Sequence, residues 1–168
     1  MIIIQPNDVQ IHFGVIPPMF NWDVVAVDTE FFGMDVEHLH RPHGRFGCLS
    51  ATDDGINVYM IFETEQIQEF MDNMNDAMQV YHNAQFDIKQ LRAYATIPDR
   101  SKIWDSMLVE QVRFAGRYDK FALNDLARRY CDIYMDKSER ETFSDDTAQS
   151  MTDNQIFYCA VDVVTTWM

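Results

Sequence analysis

No stretch of the 168 residues approaches the roughly 18 consecutive apolar residues that a bilayer-crossing helix needs, and the opening Met1-Ile2-Ile3-Ile4 meets Gln5 at once. Neither a membrane span nor a signal peptide is therefore expected. Glycine (6) and proline (5) are too scarce for a collagen-like repeat or a flexible linker protein. Cysteine is scarce too: Cys48, Cys131 and Cys159 are odd in number, widely spaced and without a CxxC pair. That usage fits reduced thiols in a cytoplasmic or cytosol-like compartment and argues against structural zinc. Positive charge is also short, with 13 Lys and Arg against 27 Asp and Glu and a net charge of −14. Net charge alone argues against a nucleic-acid partner, since phosphate binding is largely electrostatic.

The distribution of charge weakens that exclusion. Between Lys89 and Arg140 lie 11 of the 13 bases against 8 acids, so this part is net +3 while the remaining 116 residues are net −17. Such polarity suits carboxylates that hold metal ions on one side of a groove and Lys and Arg that guide a strand on the other; a soluble acidic protein with solvated charges is the plainer reading. A hydrophobic fraction of 47% and an aromatic fraction of 13% are enough for the core of one domain, residues 1–168.

Periodicity gives the element order. WDVVAVDTE, Trp22 to Glu30, reads as a buried strand ending in acids, with Asp28 and Glu30 on one face. A long loop follows to Arg45, then a hairpin of Phe46–Ala51 and Ile56–Ile61 around an Asp53-Asp54-Gly55 turn. Apolar spacings of three and four predict a helix over Gln66–Met78 with Thr64 as cap, then a strand at Gln79–His82 and a helix from Ala84 to Tyr94. Ile103-Trp104 reads as a short strand, and Asp105 or Ser106 as the cap of a helix over Met107–Ala115. Helices at Phe121–Tyr130 and Thr152–Trp167 flank the polar stretch Asp136–Ser150, expected to be mobile. The order predicts an α/β fold with antiparallel strands first, parallel strands afterwards and helices on both faces.

Three acidic segments stand out together: Asp28-Thr29-Glu30 at a strand end, Asp87 in His82-Asn83-Ala84-Gln85-Phe86-Asp87, and Asp162 in Tyr158-Cys159-Ala160-Val161-Asp162. Asp162, between Val161 and Val163 in an apolar helix, is costly to bury unless paired or bound to a cation. In order and residue type these segments resemble the Asp-x-Glu, Asn-x-x-x-Asp and Tyr-x-x-x-Asp motifs of the DEDD superfamily of 3′-5′ exonucleases, in the branch with a tyrosine in the third motif. Trp104-Asp105-Ser106-Met107 and Phe121 to Ala127 resemble weaker segments of that family, so the likeness runs from about Val24 to Thr166.

The resemblance implies a ribonuclease H-like fold with a mixed five-stranded sheet, and hydrolysis of single-stranded DNA from its 3′ end to nucleoside monophosphates, as in polymerase proofreading domains. Two divalent ions, Mg2+ or Mn2+, are implied as cofactors, because hard oxygen ligands hold such ions and a pair of them stabilises both attacking and leaving oxygens. By resemblance Asp28 bridges both ions, Glu30 and Asp162 complete the site of the ion that activates water, Asp87 holds the second, and Tyr158 orients the attacking water. Thr29 is an implied backbone contact of the 3′ hydroxyl, and Asn83 either contacts substrate or satisfies a turn. Phe31, Phe32 and Met34 either stack on the terminal base or pack in the core, and Phe86 is a candidate substrate contact. His38, His40 and His43 lie in a Pro-containing loop ill suited to a transition metal, and His82 reads as structural.

Three other readings stay open: an RNA-trimming exoribonuclease, a nucleic-acid-binding module without turnover, and a ribonuclease H-type endonuclease. The chain ends six residues after Asp162 where family members continue, which raises a polymerase domain as a partner in cis or in trans.

Overall fold

The computed structural model describes residues 2–16, 23–33, 45–98, 102–144 and 150–168. Among these residues six strands form one sheet: β1 (Gln10–Phe13), β2 (Val24–Phe32), β3 (Arg45–Thr52), β4 (Asn57–Ile61), β5 (Met78–Tyr81) and β6 (Lys102–Asp105). They lie in the order β1-β4-β3-β2-β5-β6. β2, β3 and β4 form the expected antiparallel meander, and β5 and β6 add in parallel on the other side of β2. The sheet has six strands, not five, because Gln10–Phe13 pairs in parallel with β4 through residues Asn57 to Met60. This strand is short and at an edge, so its hydrophobic alternation is too brief to read.

Among the described residues five α-helices cover the sheet: α1 (Ile67–Asn73), α2 (Ala84–Leu91), α3 (Ser106–Arg113), α4 (Leu123–Cys131) and α5 (Asp153–Trp167). Alternation along β2 sorts its side chains between two cores. Val25, Val27 and Phe31 join Ile67, Phe70 and Leu91 of α1 and α2. Ala26 and Phe32 join Leu123, Cys159 and Val163 of α4 and α5. β2 is thus the buried middle of three layers, which is why it reads as a nearly continuous apolar run until its acids.

Several boundaries differ from the sequence expectation for physical reasons. α1 stops at Asn73 rather than Met78, because Asn75 and Asp76 are weak helix formers and the Met78 N–H is captured by the Asp23 carbonyl at 2.9 Å as β5 begins. Thr64 does not cap it; a 3-10 turn, Thr64–Gln66, leads into the helix and the Thr64 hydroxyl meets Glu65 instead. α2 ends at Leu91, three residues early, in a turn. Asp105 does cap α3, accepting from the Leu108 N–H, and Thr152, expected as the first residue of the last helix, caps α5 by accepting from the Gln155 N–H. The first part of the polar stretch expected to be mobile carries a 3-10 helix, Ser138–Ser144, with Phe143 only 4% exposed; residues 145–149 lie outside the described residues.

Two glycines are required by the packing. Between Glu30 and Phe31 the β2–β3 register slips, Glu30 facing Cys48 and Phe31 facing Phe46, so Gly47 is the extra residue of a β-bulge. A Cβ on Gly47 would lie 2.8 Å from the Glu30 carbonyl oxygen. Gly55, at φ 72°, closes the β3–β4 turn under the Trp167 ring.

Candidate active site

β2 carries Asp28 and Glu30 on the face that meets α5, the residues between them pointing the other way. α5 supplies Asp162, 6% exposed, and Tyr158 one turn earlier on the same side. Single carboxylate oxygens of Asp28, Glu30 and Asp162 all lie within 4.8 Å of one another. The Tyr158 side chain hydrogen-bonds Asp162. Asp87 reaches the cluster from the opposite layer. It sits in the first turn of α2, 4% exposed, and its Oδ1 accepts both the Thr29 hydroxyl at 2.7 Å and the Thr29 N–H at 3.1 Å. Thr29, between the two β2 acids, is therefore engaged in holding the fourth.

The start of α2 is itself fastened. Asn83, in the left-handed region at φ 72°, gives its N–H to Asp105 Oδ1 at 3.1 Å, and Ala84 gives its own to Asp105 Oδ2 at 2.9 Å. Asp105 thus caps α3 and pins the residues that aim Asp87. His82 Nδ1 pairs with the Ser106 hydroxyl at 3.0 Å, which in turn donates to the Tyr81 carbonyl.

Crowding four carboxylates in a partly dry site sets the electrostatics. Desolvation raises the pKa of every one, and repulsion from the neighbouring acids adds to it for Asp28, which rises well above its ordinary value, and for Glu30, pushed to about 8; burial takes Asp87 to about 7 against the Thr29 hydrogen bonds, with Asp105 adding to the rise. Asp162 is raised by burial and restrained by Lys137, Tyr158 and Arg140. Burial, then Asp162 and Glu30, raise the Tyr158 phenol above its ordinary value. Burial and Lys137 lower His82 to about 4, so its imidazole is neutral.

A cavity of about 370 Å³ opens over these groups. Lys137 and Arg140, which the sequence reading placed in a mobile linker, both line it. Their spacing of three puts them on one side of the 3-10 turn, a signal visible only once that turn is known. The turn is tied down on both sides. Phe143 O accepts the Gly33 N–H at 2.9 Å, and Gln155 Nε2 of α5 donates to the Thr142 hydroxyl at 2.9 Å. Asn83 and Phe86 line the cavity as well. Phe31 borders it too, yet is 2% exposed and packs edge-on to Phe46 and Phe86. Phe32 lies in the core under an Arg45 guanidinium. Met34, His38, His40 and His43 lie outside the described residues.

The donor set fits a divalent cation. Asp28 Oδ2 and Asp162 Oδ1 are buried and have no hydrogen-bond partner among the described residues. Buried anionic oxygens in that state are costly unless protonated or neutralised by a cation, and an all-oxygen cluster suits Mg2+ or Mn2+.

Comparison with known proteins agrees with this arrangement. The sequence model of a family described as 3′-5′ exonuclease matches residues 16–167. DNA polymerase I of Aquifex aeolicus (strain VF5) is 31% identical over 113 residues, 66% of this chain and 18% of the polymerase. The chain therefore spans less than a fifth of that relative's length. Among solved structures, Brucella melitensis NrnC bound to pGG has a TM-score of 0.73 at 20% identity, covering 93% of this chain and 76% of that one. Escherichia coli RNase D gives 0.65 at 20% identity over 86% and 36% of the two chains, and the Aedes aegypti Nibbler EXO domain 0.68 at 17% over 97% and 87%. At those identities the structures establish the fold, ribonuclease H-like and mixed. With a family match across nearly its whole length and the four acids and tyrosine gathered over one cavity, the chain belongs to the 3′-5′ exonuclease family, of the DEDD type.

Proposed function

We propose that the protein is a two-metal exonuclease that removes nucleoside monophosphates from the 3′ end of single-stranded DNA. The observation that carries this reading is the convergence of Asp28, Glu30 and Asp162 within 4.8 Å, with Asp87 held against them by Thr29 and two buried oxygens unpartnered.

Hydrolysis builds negative charge on the phosphoryl oxygens and on the leaving 3′ oxygen. Asp28, Glu30 and Asp162 would hold one divalent ion and Asp87 would serve a second; when bound, such ions would supply Lewis-acid stabilisation of that charge and a water nucleophilic near neutral pH. The chain's own groups do the positioning. Tyr158, its phenol proton made harder to lose by burial and by the surrounding carboxylates, orients the attacking water as a hydrogen-bonding group and not as a base. Lys137 and Arg140 face the acids from across the cavity and bind the non-bridging phosphate oxygens. Asn83 offers an amide to the terminal nucleotide, and Phe86 a ring edge. Asp105 keeps Asn83 and the α2 N-terminus in register with β2.

The identity with DNA polymerase I supports DNA as substrate and a proofreading role beside a polymerase domain. A second reading, RNA 3′-end trimming, is favoured by the fold shared with E. coli RNase D, an exoribonuclease involved in structured RNA processing. A time course with 5′-labelled single-stranded DNA and RNA of matched sequence, with Mg2+, Mn2+ or EDTA, tests both. Metal-dependent shortening from the 3′ end is expected, faster on DNA. Faster shortening of RNA selects the second reading, and no shortening of either by the folded protein overturns the proposal in favour of a binding module.

A further inference from the structure

Outside the carboxylate cavity, the segment from the end of α3 to the middle of α4 is one of two basic runs in this acidic chain, residues 89–102 being the other. Residues 113–129 hold five bases (Arg113, Arg117, Lys120, Arg128, Arg129) and two acids (Asp119, Asp125). A second cavity of about 370 Å³ opens here, lined by Tyr118, Lys120, Arg128 and Arg129 together with both acids. Asp125 is engaged at the N-terminus of α4, where it accepts the Ala122 N–H at 3.2 Å.

Aromatic rings alternate with the bases. Arg129 is locked in place, bonded to Glu110 at 3.1 Å and to the Lys120 carbonyl at 3.1 Å, with its guanidinium 3.9 Å from the centre of the Tyr118 ring. Arg117 approaches the same ring at 5.7 Å, and Arg113 lies over Phe114 at 5.1 Å. Arg117, Lys120 and Arg128 are exposed and form no ion pair among the described residues. The segment is also continuous with the catalytic cavity: Lys120 borders the outer cavity, and Ala122 and Leu123, two and three residues on, line the inner one.

We propose that this surface is the track for the 5′ body of a single-stranded nucleic acid whose 3′ end lies at the carboxylates, an inference that rests on the exonuclease reading above. Exposed cations interleaved with aromatic faces are what a strand's phosphates and bases require, and in a protein of net charge −14 they stand next to the carboxylate cavity. Arg117, Lys120 and Arg128 contact phosphates, while the Arg129–Tyr118 stack keeps the platform rigid. The track acts on long substrates and leaves the chemistry untouched.

The test is the triple variant Arg117→Ala/Lys120→Ala/Arg128→Ala, with Lys120→Ala alone as a milder change and Arg117→Ala/Lys120→Ala compared with Arg92→Ala/Lys102→Ala as a control that removes two charges elsewhere. Binding of a fluorescent single strand of about a dozen nucleotides is measured by anisotropy in EDTA, where no turnover is needed, and hydrolysis of that strand and of a dinucleotide is measured with Mg2+. Losing three phosphate contacts lowers the slope of log affinity against log salt by about 2 and weakens binding at 0.1 M salt by at least about tenfold. KM for the long strand is expected to rise with kcat unchanged, and both constants for the dinucleotide to stay the same. An unchanged salt slope, or equal effects on the dinucleotide or in the control, overturns the track and leaves the patch to an acidic protein partner. Salt-dependent binding without hydrolysis by the wild-type protein would instead overturn the exonuclease reading while the track stands.

Discussion

Glu30→Gln separates function from stability. The side chain keeps its shape and loses its charge, so the crowding of Asp28, Asp87 and Asp162 against it is relieved. Its folded pKa of about 8 against 4.5 corresponds to about 4–5 kcal/mol at 1.36 kcal/mol per unit when fully ionised. Glu30 is only half-buried, so solvent screening reduces that to about 2 kcal/mol. The sign follows from proton binding. A carboxylate whose pKa is raised on folding binds more protons in the native state, so the wild-type protein loses stability as pH rises from about 4.5 to about 8. In EDTA at pH 8, Glu30→Gln is therefore expected to melt about 4–8 °C above wild type, the advantage vanishing near pH 4. With Mg2+ the order reverses, since only the wild-type protein retains the full ligand set, and hydrolysis by the variant is lost. Differential scanning calorimetry across that pH range reads the effect. A variant no more stable than wild type at pH 8 in EDTA would refute the claim that these carboxylates are held together at a cost.

Asp28→Ala and Asp162→Asn are each expected to abolish hydrolysis while circular dichroism shows an intact fold; activity in either purified variant contradicts the site. Tyr158→Phe removes a hydrogen-bonding group and no carboxylate, so kcat should fall less than in those variants, with the Mg2+ requirement unchanged. Thr29→Val deletes the 2.7 Å bond to Asp87, up to about 1.5–3 kcal/mol for a bond to a charged acceptor, and should raise the Mg2+ concentration needed for half-maximal activity by about tenfold. Gly47→Ala drives a methyl to 2.8 Å from the Glu30 carbonyl and is expected to cost about 1–3 kcal/mol, seen as a lower urea midpoint together with weaker metal binding.

The parts of this protein legible in its sequence are those written by local rules. The β2 run Val24–Val27 shows its burial on both faces directly, the Asp53-Asp54-Gly55 turn announces the hairpin, and Thr152 and Asp105 mark helix starts by their own capping chemistry. The acids are legible because alternation places Asp28 and Glu30 on one face and helical spacing stacks Tyr158 on Asp162. The edge strand β1 left no trace, since four residues paired to β4 carry no periodicity of their own. Lys137, Arg140 and Phe143 were hidden for a similar reason: a polar stretch becomes a fixed wall of the cavity only through bonds to Gly33 and Gln155, residues distant in the chain or on another element.

Sequence alone determined which residue types gather at each element's end, because strand and helix periods are properties of the backbone. Only the tertiary structure decided how the two layers meet: Asp87 crosses to the β2 acids because Thr29 points to the opposite face and hydrogen-bonds it there, while Asp105 holds the α2 start that aims it. The raised carboxylate pKa values belong to the same level, since desolvation and repulsion exist only once four charges from three elements share one small volume.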